Sequence, residues 1–255
     1  MMRKILFLLM ASLFTMSCVG MGTDFPTHVR HSFVKIEKRA HVNKCNEDQT
    51  VCYPQIMLST GSGAIVGNHK LGSLVLTAAH VCEVDPRRYP PGSILGAEIT
   101  VLDLRLKRYQ ARIINMDHEM DACILTVIGL NGAIVPVRKG TYHPGTKVYN
   151  VAAPIGIMNR DLVPLLDGYY VGDEGDHRAL YTVPAAGGSS GSPIIDEDGQ
   201  LVGMIHSVNI LFPMITVSPT LEDLRKFIWE SEKYHRMLLW NYKKGQSIEL
   251  SNQSR

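Results

Sequence analysis

The rhythm of residues 32–217 constrains the fold most. Short runs, either alternating apolar with polar or apolar throughout, are each closed by glycine, proline or a polar turn. Ser32-Phe33-Val34-Lys35-Ile36-Glu37-Lys38 alternates with the two-residue period of a strand that buries one face. Residues 61–66 and 73–77 are β-rich runs joined by a turn at 69–72, residues 97–105 and 108–114 read as a hairpin, and 122–127 reads as a fully buried strand. Residues 40–54 are polar and end at Pro54, so they read as a surface loop. After Pro136 the pattern resumes at 147–152, 169–171, 179–183, 193–195, 201–205 and 214–217, with Asp196-Glu197-Asp198-Gly199 as a hairpin turn. One helix is expected, at the end. Ser218 offers a cap, Pro219 suits the first helical position, Thr220 and Asp223 have capping-box spacing, and Leu221, Leu224, Phe227 and Ile228 form one apolar stripe. At 255 residues such a chain makes one large all-β domain or two small barrels packed together, and its 22 glycines and 13 prolines supply the turns.

The first residues read differently. Met1-Met2-Arg3-Lys4 is basic, residues 5–14 are mostly apolar, and Thr15-Met16-Ser17-Cys18 supplies small residues at a cut site. This is the layout of a secretory signal peptide over residues 1–18, and its apolar run is too short for a bilayer-spanning helix, which needs about 20 residues. Cys18 after Ser17 also resembles the lipid-modified cysteine of a bacterial lipoprotein, although Thr15 stands where that motif prefers leucine; an ordinary cut nearby is the alternative. The chain is therefore expected to be exported, as a periplasmic, secreted or lipid-anchored protein, with Cys18 its one expected link to a membrane. Removing residues 1–17 leaves 24 basic against 24 acidic residues, so no basic field recommends nucleic acid as a partner.

Four cysteines then remain, Cys45, Cys52, Cys82 and Cys123. An even number in an oxidising compartment suggests disulfides, but four cysteines allow three pairings and the sequence does not choose among them. Cys45 with Cys52 would close a short local loop. Cys82 and Cys123 each follow a candidate catalytic residue by two positions, so they become neighbours if those residues meet. The spacing of His41, Cys45 and Cys52 matches no common zinc motif, and no metal or cofactor is expected. The tail from about residue 243 is polar.

Three segments carry chemistry, in this order: Leu76-Thr77-Ala78-Ala79-His80, Met120-Asp121-Ala122-Cys123-Ile124-Leu125, and Gly187-Gly188-Ser189-Ser190-Gly191-Ser192-Pro193. A serine hydroxyl becomes a nucleophile when a neighbouring base takes its proton, and histidine does this near neutral pH. A carboxylate must hold the imidazole in the correct tautomer, and two backbone N–H groups must meet the developing oxyanion. The sequence offers Ser190 as nucleophile, His80 as base and then acid, Asp121 as the residue that orients His80, and the N–H groups of Gly188 and Ser190 as the oxyanion hole. Asp117 and Glu119 compete with Asp121, but they lie in a polar turn, whereas Asp121 abuts a buried strand where an unpaired carboxylate would be costly.

These segments resemble the trypsin-like peptidases, and among them the protease domain of the HtrA/Deg type. That family has Gly-Asn-Ser-Gly-Gly-Pro at the nucleophile, where this chain has Gly188-Ser189-Ser190-Gly191-Ser192-Pro193; it has Gly-Ile-Asn-Thr after the next hairpin, where this chain has Gly203-Met204-Ile205-His206-Ser207; and Ala153-Pro154-Ile155-Gly156 is similar to its Ser-Pro-Phe-Gly turn. The resemblance implies an all-β fold of two packed six-stranded antiparallel barrels with a C-terminal helix. The protease domain would cover residues 30–232, with the first barrel at about 30–130, the second at about 135–218, and the helix at about 219–240. It implies a serine endopeptidase acting on polypeptides through an acyl-enzyme. Only 35 residues follow Thr220, below the ~50 that a domain needs, so the peptide-binding PDZ domain of the HtrA type is not expected.

By the same resemblance Pro184, six residues before Ser190, lies at the base of the primary specificity pocket. Enzymes that cleave after Lys or Arg have an acidic residue there, so basic specificity is not expected. Ala185 and Ala186 suggest small or medium apolar side chains. His206 is expected on the pocket wall, near but not at the position where glutamyl endopeptidases read Glu. Two other readings compete. The Gly-x-Ser-x-Gly of residues 187–191 also occurs in the nucleophile elbow of esterase-type hydrolases, but that motif needs a following helix and the order Ser, acid, His, whereas here Pro193 and a strand follow. A protease fold retained only for binding would have lost a triad residue, and none is lost.

Overall fold

The structure, a computed structural model, describes residues 27–45, 52–84, 94–209, 212 and 214–243. The expected signal segment with Cys18, the side chains of Cys45 and Cys52, and the tail beyond Lys243 lie outside the described residues.

The first half is a closed barrel. Its strands are β1 (Phe33–Cys45), β2 (Cys52–His69), β3 (Gly72–Ala78), β4 (Ile94–Leu102), β5 (Arg108–Asp117) and β6 (Ala122–Ile128), ordered β1-β2-β3-β6-β5-β4. β1 closes it by pairing on both sides, with Ile36 opposite Gly61 of β2 and opposite Val101 of β4. The alternation read in residues 32–38 becomes inward-facing Val34 and Ile36 at 0% exposure, packed with Ile65, Val75, Ile124 and Leu125. Residues 40–54, expected as a loop, are instead largely strand: β1 runs on to Cys45, β2 starts at Cys52, and the two cysteines are opposite in register. Polar side chains hid this, because these residues extend an antiparallel ladder whose backbone bonds do not need an apolar face.

The second half is a seven-stranded antiparallel sheet. It comprises β7 (Lys147–Val151), β8 (Leu165–Glu174), β9 (Arg178–Tyr181), β10 (Pro193–Asp196), β11 (Leu201–Met204), β12 (Ser207–Val208) and β13 (Thr216–Pro219), in the order β11-β10-β7-β8-β9-β13-β12. The two-residue β12 is the strand beyond the six expected. The sheet curls back on itself, since the N–H of Met204 on β11 donates to Ser218 Oγ on β13 (2.9 Å). Tyr181 fills the interior of this half at 1% exposure, and its hydroxyl donates to Val202 O.

A one-turn helix α1 (Ala79–Cys82) follows β3, and α2 (Leu221–Lys243) ends the described chain. Thr220 caps α2: Asp223 N–H donates to Thr220 Oγ1 (3.2 Å), and the hydroxyl donates back to Asp223 Oδ2 (2.6 Å). Pro219, expected as the first helical residue, lies in β13 opposite Arg178 of β9, so sheet pairing claims it and the helix starts later. Leu224, Phe227 and Ile228 are buried in the core that includes the barrel interior and Leu201 and Met204 of the second sheet. Further along α2, His235 is 5% exposed and stacks on His69 at 4.4 Å between ring centroids. Both Nε2 atoms converge on Thr126 Oγ1, at 3.2 Å from His69 and 3.3 Å from His235.

Candidate active site

The barrel register explains how two of the expected catalytic residues meet. β3 and β6 end side by side, with Ala78 opposite Ala122 and Thr77 opposite Cys123. His80 lies two residues beyond the end of β3, and Asp121 one residue before the start of β6. Three bonds lock them together. Ala79 N–H donates to Asp121 O (3.0 Å), His80 N–H to Asp121 Oδ1 (2.9 Å), and His80 Nδ1 lies 2.8 Å from Asp121 Oδ2. Asp121 adopts φ +53°, a left-handed conformation that short acidic side chains tolerate better than most and that turns its carboxylate back onto α1. Cys82 and Cys123 are disulfide-bonded, which ties α1 covalently to β6 just past both residues. The competing Asp117 accepts the N–H of Met120 within its own turn (2.9 Å).

Ser190 comes from the other half, on the loop that leads into β10. The first barrel reaches across to hold this loop: Ser62 N–H donates to Ser190 O (2.8 Å), and Ser62 Oγ donates to Gly188 O (2.8 Å) while accepting Ala153 N–H (3.0 Å). Gly188 has φ +95°, and a Cβ there would lie 2.6 Å from Ala153 O; Gly191 has φ +84°, and its Cβ would collide with Thr77 Oγ1 and Ser62 O. Only glycine fits either place. Gly187 O is turned aside, accepting Ile155 N–H at 2.6 Å. Among the described residues, neither Gly188 N–H nor Ser190 N–H has a hydrogen-bond partner. Two N–H donors beside the serine are therefore left unpaired within the described residues, as the expected oxyanion hole requires.

The neighbouring serines are committed elsewhere. Ser189 is fully buried and its Oγ accepts Ala186 N–H (3.3 Å), while Ser192 Oγ, also buried, accepts Asn150 Nδ2 (2.8 Å). Ser190 is the partly exposed one of the three. Among the described residues no hydrogen bond joins Ser190 to His80. Pro184 is exposed and Ala185 is half-buried against the interior of the second sheet.

His206, expected on the pocket wall, also lies beside Asp121, with its Nδ1 3.7 Å from Asp121 Oδ2. Its N–H is bonded to Val217 O (3.0 Å) on β13, which sets the side chain on the Asp121 side. Burial pushes its pKa below the ordinary histidine value, with Asp121 opposing the shift and Arg178 and His80 adding to it.

Two supporting residues escaped the sequence reading. Ser62 carries the bridge between the halves; the Gly61-Ser62-Gly63 run inside a strand was a usable signal, since glycine there marks close backbone approach. Lys38, 6% exposed, donates through Nζ to His80 O (3.0 Å) and to Glu83 O, satisfying carbonyls at the end of α1 with a cation. Nothing in its local sequence marks it.

Comparison with known proteins agrees with this architecture. Residues 61–204, more than half of the chain, match the trypsin-like peptidase domain. No curated protein matches the sequence. Among solved structures, one similar in fold is the inactive form of a serine-to-alanine mutant of Rv3671c from M. tuberculosis H37Rv, with 17% identity, a TM-score of 0.57, and coverage of 83% of this chain and 92% of that one. With a six-strand barrel, a second antiparallel sheet, a C-terminal helix and that domain match, the chain belongs to the trypsin-like peptidase family.

Proposed function

We propose that the protein is a serine endopeptidase with His80, Asp121 and Ser190 as its triad. The observation that carries this reading is the pairing of His80 Nδ1 with Asp121 Oδ2 at 2.8 Å, in one half, opposite a serine loop with two unpartnered N–H groups in the other. With Nδ1–H given to Asp121, the Nε2 of His80 carries the lone pair that takes the Ser190 proton. Ser190 Oγ attacks the scissile carbonyl carbon, and the negative oxygen is received by the N–H groups of Gly188 and Ser190. The tetrahedral species collapses with cleavage of the C–N bond as protonated His80 delivers its proton to the leaving amine. Water, deprotonated by His80, then attacks the acyl-enzyme ester and releases the second product and Ser190.

Ala185 and Ala186, with no acidic residue at Pro184, favour peptides with small or medium apolar side chains before the cleaved bond. Export follows from the signal-like residues 1–18, and the Cys82–Cys123 disulfide is in keeping with an oxidising compartment. The test is covalent. The protein treated with diisopropyl fluorophosphate should gain one adduct by intact mass, and Ser190→Ala should gain none. An unlabelled, folded wild type, or an adduct that persists in Ser190→Ala, would reject this assignment.

A further inference from the structure

We infer that the outward face of α2 docks the protein on an anionic lipid surface, a contact that goes beyond the proposed proteolysis and does not depend on it. The inward face of this helix is spent on the fold, with Leu224, Phe227, Ile228, Ser231 and His235 buried. On the opposite side, helical spacing lines up Lys226, Trp229, Lys233, Arg236, Met237 and Trp240 as one exposed strip. Trp229 is 57% exposed, Met237 50% and Trp240 61%. Tryptophan is highly buried on average in folded domains, yet both tryptophans of this chain stand open on the same face. Lys233 Nζ lies 5.4 Å from the centre of the Trp229 ring, so cation and indole are presented together. Among the acidic residues of the helix, Glu232 is paired with Arg236 (3.6 Å), Glu230 lies about 100° round the axis from Trp229, and Glu222 and Asp223 are confined to the first turn.

The mixture of side chains selects the occupant. The core of a protein–protein interface is depleted of charged residues, whereas here cations alternate with aromatic rings along the whole strip. A headgroup layer accepts both. Indole rings settle at the boundary between water and hydrocarbon, and Lys and Arg lay their stems on apolar surface while their charges reach anionic phosphates. No described helix is long and apolar enough to cross a membrane, so the contact is with the surface. The start of the described chain lies close to the second half of α2. His31 O is 3.0 Å from the place a Cβ on Gly132 would take, Asn68 Nδ2 donates to Gly132 O (3.0 Å), and the adjacent His69 stacks on His235 of α2. Cys18 lies nine residues before Thr27, a reach of at most about 30 Å. A lipid at Cys18 would enter the same bilayer, and the α2 strip would set which side of the domain faces it.

The two tryptophans make the contact self-reporting, because the chain has no other indole. The full chain, carrying Cys18→Ser in every form so that no lipid is attached, is titrated with vesicles of phosphatidylglycerol and phosphatidylcholine in equal parts. Tryptophan emission should shift to the blue and be quenched when the acyl chains are brominated, and phosphatidylcholine alone should bind far more weakly. Each cation near an anionic surface contributes about fivefold, so Lys226→Gln with Lys233→Gln should lower the partition coefficient roughly twentyfold, and added salt should weaken wild-type binding. Melting curves check that the double variant is folded. Absence of a shift in wild type would overturn the inference. Equal binding to neutral vesicles would do so as well, as would equal binding by the double variant, which would move the attachment to another part of the chain such as residues 5–14. A shift that grows with protein concentration in the absence of vesicles would give the face to a second copy and overturn it too. Failure of Ser190 to label with diisopropyl fluorophosphate would reject the triad and leave this contact standing.

Discussion

His235 makes the stability of the protein depend on pH over a defined window. Leu71 N–H donates to His69 Nδ1 (3.3 Å), which places the His69 proton on Nε2 and directs it to Thr126 Oγ1. The Thr126 hydroxyl proton is then free to go to His235 Nε2, so this relay needs both rings neutral. Burial lowers the His69 pKa, and burial with the nearby His69 ring lowers that of His235 to about 4. In the unfolded chain a histidine titrates near 6.5. Between those values the unfolded state binds the proton more readily than the folded state does. The stabilisation is therefore full above about pH 6.5, declines as pH falls, and levels off below about pH 4. At pH 5 the loss from His235 alone is about 2 kcal/mol, or roughly 4–8 °C in Tm for a chain of this size. His235→Gln keeps an acceptor for Thr126 and removes the titration. Both tryptophans, Trp229 and Trp240, lie on α2, so their fluorescence follows the helix that the pair anchors. Thermal melts at pH 7.5 and pH 5 should show a fall in Tm that is roughly 4–8 °C smaller in the variant than in wild type. Equal falls in both proteins would refute the argument.

Three further outcomes follow from contacts around the site. Replacing Cys82 and Cys123 by serine opens a link spanning 41 residues and should lower stability by up to about 4 kcal/mol on loop-entropy grounds, read as a shift in the denaturant midpoint. Gly191→Ala combines a left-handed backbone with a clash against Thr77 and Ser62; it should abolish labelling by diisopropyl fluorophosphate and cost at least about 2 kcal/mol. Lys38→Met leaves the carbonyls of His80 and Glu83 without their cation, so about 1–3 kcal/mol of stability and much of the labelling rate should be lost, whereas a surface lysine substitution should change neither.

The parts of the fold that could be read from the sequence were those governed by local periodicity. The alternation of residues 32–38, the mostly apolar run of β6, the turn at 196–199 and the helical stripe of α2 all rest on neighbours two to four positions apart. The candidate catalytic segments were readable for a similar reason, since each carries its glycines, alanines or aspartate within a few residues of His80, Asp121 or Ser190. What escaped depends on distant partners. Lys38 acquires its role from carbonyls on α1, and Ser62 from a loop more than a hundred residues away. The approach of His206 to Asp121 likewise depends on a distant partner, since its N–H is bonded to Val217 O on β13. The loop expected at 40–54 failed because strand ladders can extend through polar residues once the register is established, and Pro219 failed because its neighbours on β9 lie forty residues upstream.

If the proposed triad operates, the Ser62 bridge makes proteolytic rate a gauge of how closely the two halves are held. His80 comes from the barrel and Ser190 from the sheet, and both the backbone and the side chain of Ser62 bridge the two. A misplacement of about 1 Å between reacting groups can cost roughly a hundredfold in rate. Any load, ligand or neighbouring molecule that leans on one half would therefore be transduced at this seam into a change of turnover, with no atom of the triad being touched.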